Sequence, residues 1–397
     1  MRKLLACLLF LGGCFANSSR IQHEGPPYII SLGKDIDRIK STGLTEIGNV
    51  ITYVPLETSD KSLLGMLNKV IITDSYIAVY SSIAENGILL FDHSGDFIRQ
   101  ISRNGRGPGE YLAMYGVYDY CLSPDGEKIY LLVSGFNCLE YDVEGKYFKT
   151  HKIDSFPSRM LPLDDNLFVF YPENTPRQRN GSVEQSLIIS DLSNNIQKTY
   201  KNYHKRTQFP NVNIGRTPFY SYQGNVRFKE AGADTLFTVT VDELIPYAVL
   251  SLGNKELPAD IRAPATREAI DAMLAQYSGK FRLQEIVEDA DNLYITLSGF
   301  LFNIRYGYYN KHSYTIKIIG DEGFQNDIDG GLPFFPKYIY NDSILVDYVN
   351  AYDLREHVLS SNAVEMRRLY GQRYDDLVKL ANSLDDEDNP ILVFVKK

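Results

Sequence analysis

The residues best suited to bind or transform a ligand form one short segment, residues 103–111, with the sequence Arg-Asn-Gly-Arg-Gly-Pro-Gly-Glu-Tyr. Its three glycines permit positive φ angles and a close approach of the backbone to a ligand. Backbone amides beside two arginines can hold a carboxylate or a phosphate, with Arg106 as a bidentate donor. The predicted binding residues are Arg103, Arg106, Gly107, Gly109, Glu110 and Tyr111.

A structural role explains the same segment equally simply. Glycine and proline would shape a tight crossing between two repeats, Glu110 would pair with Arg106, and Tyr111 would pack in the core. The segment also lacks the strand-to-helix context and the Lys-Ser/Thr ending of a phosphate-binding loop. The structural interpretation is favoured at the level of sequence, because glycine-rich loops are common between propeller blades, and the binding interpretation stays open.

Signals for catalysis and for metal binding are weak along the whole chain. The six histidines show no paired spacing of the kind that metal ligands have, and no Gly-x-Ser-x-Gly sequence is present. Acidic residues such as Asp119 and Asp125 stand singly, where the capping of turns explains them. The sequence therefore predicts no cofactor and leaves the catalytic residues unknown.

The elements that position this segment follow a strand-turn-strand pattern. It is clearest at residues 88–101, where an apolar strand, a His-Ser-Gly-Asp turn and a second apolar strand follow one another, and it recurs at residues 138–150. Weaker copies start near residues 186 and 235. The period of about 50 residues, with four short strands in each, is typical of propeller blades.

The predicted fold is all-β, a six-bladed β-propeller with two inserted helices at residues 263–277 and 364–384. The last blade supplies only three strands, so the fourth is expected from the N-terminal residues 50–56. A blade shared by the two chain ends closes the ring and removes exposed strand edges. Two separate β-sandwiches are the alternative, but they would not explain the regular period.

The N-terminus resembles an export signal for a lipoprotein. Arg2 and Lys3 precede an apolar run at residues 4–11, which is too short to span a bilayer, and Leu-Gly-Gly-Cys follows, ending at Cys14. Cys14 is the predicted lipidation site. The expected domains are a signal peptide at residues 1–13, a lipid-anchored segment at 14–45 and the propeller at 46–397.

Charge and cysteine content restrict the partners and the covalent chemistry. The chain has 41 Lys and Arg against 50 Asp and Glu, and this acidic balance argues against a nucleic acid partner. Once Cys7 and Cys14 are assigned to the export segment, Cys121 and Cys138 remain. Their predicted strands are out of register for a bridge, so we expect two buried free thiols.

Several segments resemble one known family. They are Tyr-Val-Pro-Leu-Glu-Thr-Ser at residues 53–59, Leu-Leu-Phe-Asp at 89–92, Gly-Arg-Gly-Pro-Gly-Glu-Tyr at 105–111, and Leu-Ala-Asn-Ser-Leu at 380–384. In combination they resemble the six-bladed β-propeller lipoproteins of certain Gram-negative bacteria of the Bacteroides type, which are similar to NHL-like and TolB-like propellers. The resemblance implies a propeller without an assigned activity.

The predicted function is a non-catalytic binding or scaffold propeller at the outer membrane. It would be tethered by lipid, facing the periplasm or the cell surface, and would contact a protein, peptide or glycan with one face and the channel mouth. The alternative is a metal-dependent enzyme of the lactonase or lyase kind, with a cation such as calcium bound in the channel.

Overall fold

The computed structural model describes residues 25–81, 87–112, 116–134, 136–155, 157–172, 185–201, 217–230, 232–258, 266–300 and 303–397. The predicted signal peptide and the predicted lipidation site Cys14 lie outside these ranges and stay predictions. Within the described ranges, no helix is long and apolar enough to cross a membrane.

The first described elements pack against the rim of the propeller. Strand β1 (Tyr28–Ile30) pairs in parallel with the strand Leu244–Leu250. Helix α1 (Leu32–Asp35) and a 3-10 helix (Leu44–Glu46) follow, and then comes strand β2 (Val50–Pro55). The side chain of Leu32 is completely buried in a cluster contributed by two blades. Residues 25–45, which are the described part of the predicted anchored segment, therefore pack against the propeller.

The remaining strands form six four-stranded antiparallel blades. Blade one comprises β3 (Leu67–Ile72), β4 (Ile77–Ser81), β5 (Ile88–Phe91) and β6 (Phe97–Ile101). Blade two comprises β7 (Val117–Leu122), β8 (Lys128–Val133), β9 (Asn137–Asp142) and β10 (Tyr147–Lys152). Blade three comprises β11 (Arg159–Pro162), β12 (Phe168–Tyr171), β13 (Gln185–Ser190) and β14 (Ile196–Lys201).

Blades four to six continue the pattern. Blade four comprises β15 (Phe219–Tyr222), β16 (Asn225–Lys229), β17 (Thr235–Val239) and β18 (Leu244–Leu250), with β1 added at its edge. Blade five comprises β19 (Phe281–Glu288), β20 (Asn292–Gly299), β21 (Ile304–Asn310) and β22 (Thr315–Gly320). Blade six comprises β23 (Tyr338–Tyr340), β24 (Ile344–Val349), β25 (Ile391–Lys396) and the N-terminal β2.

The chain is a six-bladed β-propeller, as the sequence predicts. Strand β2 pairs with β25 over its full length, from Val50 opposite Lys396 to Pro55 opposite Ile391. The predicted closure of the ring by an N-terminal strand is therefore confirmed. The addition of β1 as a fifth strand to blade four was not predicted.

Burial explains why the strands differ in composition. Middle strands such as β8 are packed between neighbouring blades on both faces, so Ile129, Leu131 and Leu132 are all completely buried. Outer strands such as β10 face solvent and carry polar residues at most positions. A continuous apolar run is the expected pattern for a strand that is covered on both sides.

The helices differ from the prediction. Helix α2 (Arg267–Tyr277) agrees with the predicted helix at residues 263–277, and its N-cap Thr266 accepts a hydrogen bond from the Ala269 amide. The predicted single helix at residues 364–384 is wrong. Two helices, α4 (Ala363–Tyr370) and α5 (Gln372–Asn382), occupy this region, because Gly371 at φ +58° breaks the helix between them.

A further helix, α3 (Ala351–Ser360), precedes these two and was not predicted. The described part of the chain therefore contains more inserted helices than the two that the sequence predicts. Leu354, Tyr374 and Leu377 are buried between α3 and α5, and this helical layer packs on blade six. In both α3 and α5 the buried residues recur at i, i+3 and i+7, which is the spacing of one apolar helix face.

The disc has two different faces, because successive strands in a blade run in opposite directions. The turn face carries the connections from first to second and from third to fourth strands, such as residues 92–96, 123–127 and 191–195. The loop face carries the other connections, including residues 102–112 and the segment 350–390 with its three helices.

The two cysteines of the propeller agree with the prediction. Cys121 lies on β7 and Cys138 on β9, and both are buried free thiols. Strand β8 separates them, with Cys121 opposite Tyr130 and Cys138 opposite Leu132. Burial raises the pKa of both thiols, so both stay protonated and unreactive.

Candidate functional site

A channel cavity of about 500 Å³ lies at the centre of the disc. It is lined by the first strand of every blade, and these inner strands contact one another across the blade boundaries. A cavity of this size suits a small molecule or the end of a peptide.

One level of the channel carries most of the charge. The residue three places before the end of each inner strand lines the cavity in all six blades. We call these residues the channel ring: Lys69, Asp119, Arg159, Phe219, Glu285 and Lys337. Five of the six are charged.

The first ion pair of the channel ring joins blades one and two. Lys69 Nζ lies 2.7 Å from Asp119 Oδ1 and also donates to the Tyr120 carbonyl at 2.6 Å. Asp119 Oδ2 accepts the Met160 amide at 2.9 Å, which adds blade three to the network. Asp119 is 8% exposed, whereas the side chain of Lys69 is 24% exposed. The carboxylate is thus covered and the ammonium group faces the cavity.

Lys337 repeats this arrangement in blade six. Its ammonium group pairs with Asp347, and Asp347 Oδ2 accepts the Phe335 amide at 3.0 Å. The side chain of Lys337 is 36% exposed and that of Asp347 only 7%. Burial lowers the pKa of Lys337, but the Asp347 carboxylate outweighs this and holds that pKa above its usual value. Lys337 therefore remains a cation at neutral pH.

Arg159 supplies a third cation to the ring. Its terminal nitrogens donate to the carbonyls of Thr217 and Phe219, both at 2.7 Å, and its guanidinium lies 5.1 Å from the centre of the Phe219 ring. These contacts fix the guanidinium against blade four without using a carboxylate. Its charge is therefore not neutralised by a direct ion pair among the described residues.

A second buried network lies near the turn-face end of the channel. Glu288 Oε2 accepts the Tyr220 hydroxyl at 2.9 Å, and Glu288 Oε1 accepts Lys311 Nζ at 2.8 Å and the Tyr247 hydroxyl. The Glu288 side chain is completely buried. Burial, followed by the Glu288 charge, raises the pKa of Tyr220 well above its usual value. This network joins blades four and five.

The predicted segment at residues 103–111 folds around its own glutamate. Glu110 Oε1 accepts Arg103 Nε at 2.8 Å, and Glu110 Oε2 accepts the Gly107 amide at 2.8 Å. Hydrogen bonds from the Gly107 amide and from Arg103 hold the pKa of Glu110 below its usual value. The expected pairing of Glu110 with Arg106 is wrong, because Arg103 is the partner.

Steric contacts explain two of the glycines in this segment. A Cβ at Gly105 would stand 1.9 Å from Glu110 Oε2, in the space that the carboxylate occupies. Gly109 has a φ of +76°, and a Cβ there would lie 2.8 Å from the Tyr141 hydroxyl. Tyr111 is buried in the core of blades one and two, as the structural interpretation of the segment expected.

The same segment lines a second cavity of about 770 Å³, which we call the loop cavity. Its walls include Arg106, Gly107, Gly109 and Glu110 together with residues of blade two. Arg106 is exposed and has no ion-pair partner among the residues that the structure describes. Tyr118 lines both the loop cavity and the channel cavity. The two cavities are therefore neighbours at the channel mouth.

The prediction from sequence found the loop cavity but missed the channel ring. Asp119 was interpreted as a residue that caps a turn. A signal was present, since a charged residue recurs at the same place in five inner strands. This recurrence is visible only when the positions are counted back from the end of each inner strand. Because the blades differ in length, those ends cannot be aligned by a fixed period in the sequence.

Metal ligands are not grouped in the described part of the chain. No set of three or more His, Cys, Asp or Glu side chains there stands close enough to hold a metal ion. Calcium binding was an alternative of the sequence analysis, and nothing in the described geometry favours it.

Comparison with known proteins identifies the family. The family described as "Domain of unknown function (DUF4934)" matches residues 27–396. The chain belongs to this family. The DUF4934 match starts just before β1 and ends in β25, so it includes both the N-terminal elements on the rim and the closing blade. No curated protein matches the chain.

Solved structures support the propeller fold. A "Putative exported protein (BF0058)" from Bacteroides fragilis is 17% identical, with a TM-score of 0.69 over 93% of this chain and 100% of its own. The structure of U3-55K is 12% identical, with a TM-score of 0.42 over 89% of this chain and 100% of its own. At these identities the first likeness shows the fold alone, and the second carries no argument.

Proposed function

We propose that this protein is a non-catalytic binding propeller of the cell envelope, which holds a ligand or partner at its loop face. The observation that carries the proposal is the pair of neighbouring cavities at the channel mouth, which share Tyr118. Binding sites in rigid scaffolds commonly consist of such preformed cavities with a few polar groups.

The state of the charged groups supports binding rather than catalysis. Lys69, Lys337 and Arg103 each have a carboxylate partner at hydrogen-bonding distance. A general acid or base needs a pKa near the working pH and access to the substrate. The carboxylates of the two lysine pairs in the channel are covered and have several donors, which suits a fixed electrostatic surface.

The envelope location rests on sequence and on likeness. The basic, apolar and Leu-Gly-Gly-Cys segments that end at Cys14 resemble a lipoprotein signal. The B. fragilis structure carries the printed description of an exported protein. An outer-membrane anchor on Cys14 is the form of attachment that we propose, with the protein facing the periplasm or the cell surface.

The entry of the chain into the disc favours the loop face as the binding face. The Gly25 amide donates to the Tyr314 hydroxyl at 3.1 Å, and Tyr314 belongs to a connection on the turn face. A tether from Cys14 to Gly25 reaches about 40 Å at most. The anchored propeller would thus have its turn face nearer the membrane and its loop face directed toward a partner.

A paired-variant binding experiment tests this proposal. The purified mature protein, immobilised, is exposed to envelope extracts and to a panel of peptides and glycans. We expect Arg106→Glu on the loop face to weaken retention of the captured ligand about tenfold, as for a residue central to an interface. Lys146→Glu, at an exposed position on the turn face, serves as the matched control and should leave retention unchanged.

Two results would contradict the proposal. Equal loss of retention in both variants would exclude the loop face as the binding face. Turnover of any substrate that disappears on substitution of Lys337 would show that the channel is an active site.

A further inference from the structure

We infer that the channel cavity binds a compact organic carboxylate, held by the cations of the channel ring. This inference rests on the proposed binding function and gives the chemical class of a ligand for the channel. It concerns a different cavity from the one tested through Arg106.

The cavity wall carries three cations and three carboxylates, and two of the carboxylates, Asp119 and Glu288, are buried. Lys69, Arg159 and Lys337 contribute three cations at one level of the channel. Asp119 is a member of the same ring, but it is buried and already accepts hydrogen bonds from Lys69, Tyr120 and Met160. Glu285 is the one exposed carboxylate among the six ring positions. A ligand at this level therefore meets the N–H donors of three partly exposed cations and one exposed carboxylate.

The arrangement holds the cations in place for a ligand. Covered carboxylates behind Lys69 and Lys337 keep both ammonium groups charged and oriented, and backbone carbonyls do the same for Arg159. An ammonium group with one carboxylate behind it retains further N–H donors for an anion in front. Fixed donors bind an oxyanion more strongly than mobile ones, because less side-chain entropy is lost.

The rest of the cavity wall suits the body of an organic molecule. Tyr118, Phe219, Tyr220 and Tyr338 present aromatic surface at or near the ring level. Aromatic side chains stack on sugar rings and on apolar peptide side chains. A volume of about 500 Å³ leaves room for a molecule larger than a simple inorganic anion.

A hydroxyl group at the turn-face end adds a polar contact. Tyr222 lines the cavity, is 4% exposed, and its hydroxyl is buried without a hydrogen-bond partner. An unsatisfied buried hydroxyl is unfavourable, and a polar ligand group next to it would satisfy it. A carboxylated sugar and the C-terminus of a short peptide both offer a carboxylate for the cations, a body for the aromatic wall and a polar group for the Tyr222 hydroxyl. The carboxylate is common to both.

The test compares ligands that differ only in charge. The purified mature protein is titrated at constant ionic strength with glucuronate against glucose, galacturonate against galactose, and trialanine against trialanine amide. Inorganic phosphate is included as an oxyanion without an organic body. Binding is measured by calorimetry and by the shift in Tm.

We expect at least one carboxylate to bind ten times or more tightly than its neutral counterpart and than phosphate. Tighter binding of a sugar acid would identify a carboxylated sugar as the ligand class, and tighter binding of trialanine would identify a peptide C-terminus. Lys337→Met should weaken this binding at least fivefold, and Lys337→Arg should retain most of it. Lys149→Met, on the exposed outer strand β10, is the matched control and should bind normally.

Substitution of Lys337 leaves Asp347 without its partner, so Lys69→Met and Arg159→Gln are tested in parallel, each with its own unliganded Tm. The inference is overturned if no carboxylate binds, if a neutral counterpart binds equally well, or if none of the three substitutions weakens binding. Such a result leaves the loop-face proposal intact, because that proposal depends on the Arg106 variant.

Discussion

The turn face and the loop face of the disc use their polar residues in different ways. On the turn face, aspartates accept hydrogen bonds from the amides of their own turns. Asp92 accepts the amides of Ser94 and Asp96, and Asp191 those of Ser193 and Asn195. These contacts are local in sequence. Other polar residues of this face join distant turns, as Asp74 does by accepting hydrogen bonds from Tyr340 and Asn341.

On the loop face, polar side chains join segments that are far apart in the chain. Asn389 is the clearest case: its side chain accepts the Leu64 amide at 2.8 Å and donates to the carbonyls of Glu57 and Ser62. It therefore ties the entry of the last strand to the connection before blade one. The comparison teaches that the turns at Asp92 and Asp191 are held by their own residues, whereas the entry to the last strand is held by a contact between segments that are far apart in the chain.

The largest expected effect comes from removing such a long-range contact. Asn389 is 1% exposed, and Asn389→Ala would leave the Leu64 amide without its acceptor and remove a donor from the carbonyls of Glu57 and Ser62, of which the Glu57 carbonyl keeps the Ser62 hydroxyl. Because unsatisfied buried groups are costly, we expect a loss of about 2–4 kcal/mol in the free energy of unfolding. Denaturant unfolding measures this change.

The matched control for Asn389 lies on the turn face. Asn195 is exposed, and its side chain contacts only Asp191 of the same turn. Asn195→Ala should change the free energy of unfolding by less than about 0.5 kcal/mol. Similar losses in both variants would show that the two faces are not held differently.

A smaller effect is expected within the loop cavity. Gly105→Ala would place a Cβ 1.9 Å from Glu110 Oε2 and force the carboxylate away from the Gly107 amide and Arg103. We expect a decrease in Tm of about 2 °C and weaker binding at the loop face. Gly107→Ala is the control, because its Cβ would stand 3.1 Å from the same oxygen and needs only a slight adjustment. An equal effect of both substitutions would contradict this account of the loop.

The smallest effect concerns pH. The pKa of Glu110 in the folded protein lies below its ordinary value of 4.5, so ionised Glu110 stabilises the loop above that pH. This contribution is lost as the pH falls through the lowered folded pKa. We therefore expect the difference in Tm between wild type and Glu110→Gln to be constant near neutrality and to shrink below pH 4.5.

Thermal melts between pH 7 and pH 3 check this expectation, with Glu144→Gln as a control at an exposed position. A difference that stays constant down to pH 3 would mean that the charge of Glu110 does not hold the loop.

Much of the fold could be predicted, because each blade has its own local signals. The strand-turn-strand pattern predicted at residues 88–101 is observed as β5 and β6, from Ile88 to Ile101, since apolar runs and turn residues bound the two strands. The helices of blade six were predicted less well. Gly371 lies in a sequence with otherwise helical spacing, and α3 draws its stability from contacts with α5 that no local pattern reveals.

The candidate site divides in the same way. The glycines and arginines of residues 103–111 indicated the loop cavity. They did not reveal that Glu110 would accept a hydrogen bond from the Gly107 amide and pair with Arg103. The choice between Arg103 and Arg106 depends on how the loop turns back on itself. That path is set by packing of Tyr111 and Tyr141 in the blade below.

The sequence by itself determined the blade period, the order of the strands and the closure by residues 50–55, because hydrophobic alternation and turn chemistry act over a few residues. Only the tertiary structure decided the channel ring and its ion pairs. Lys69 and Asp119 are far apart in the chain, and they meet because each inner strand reaches the same central axis at the same level.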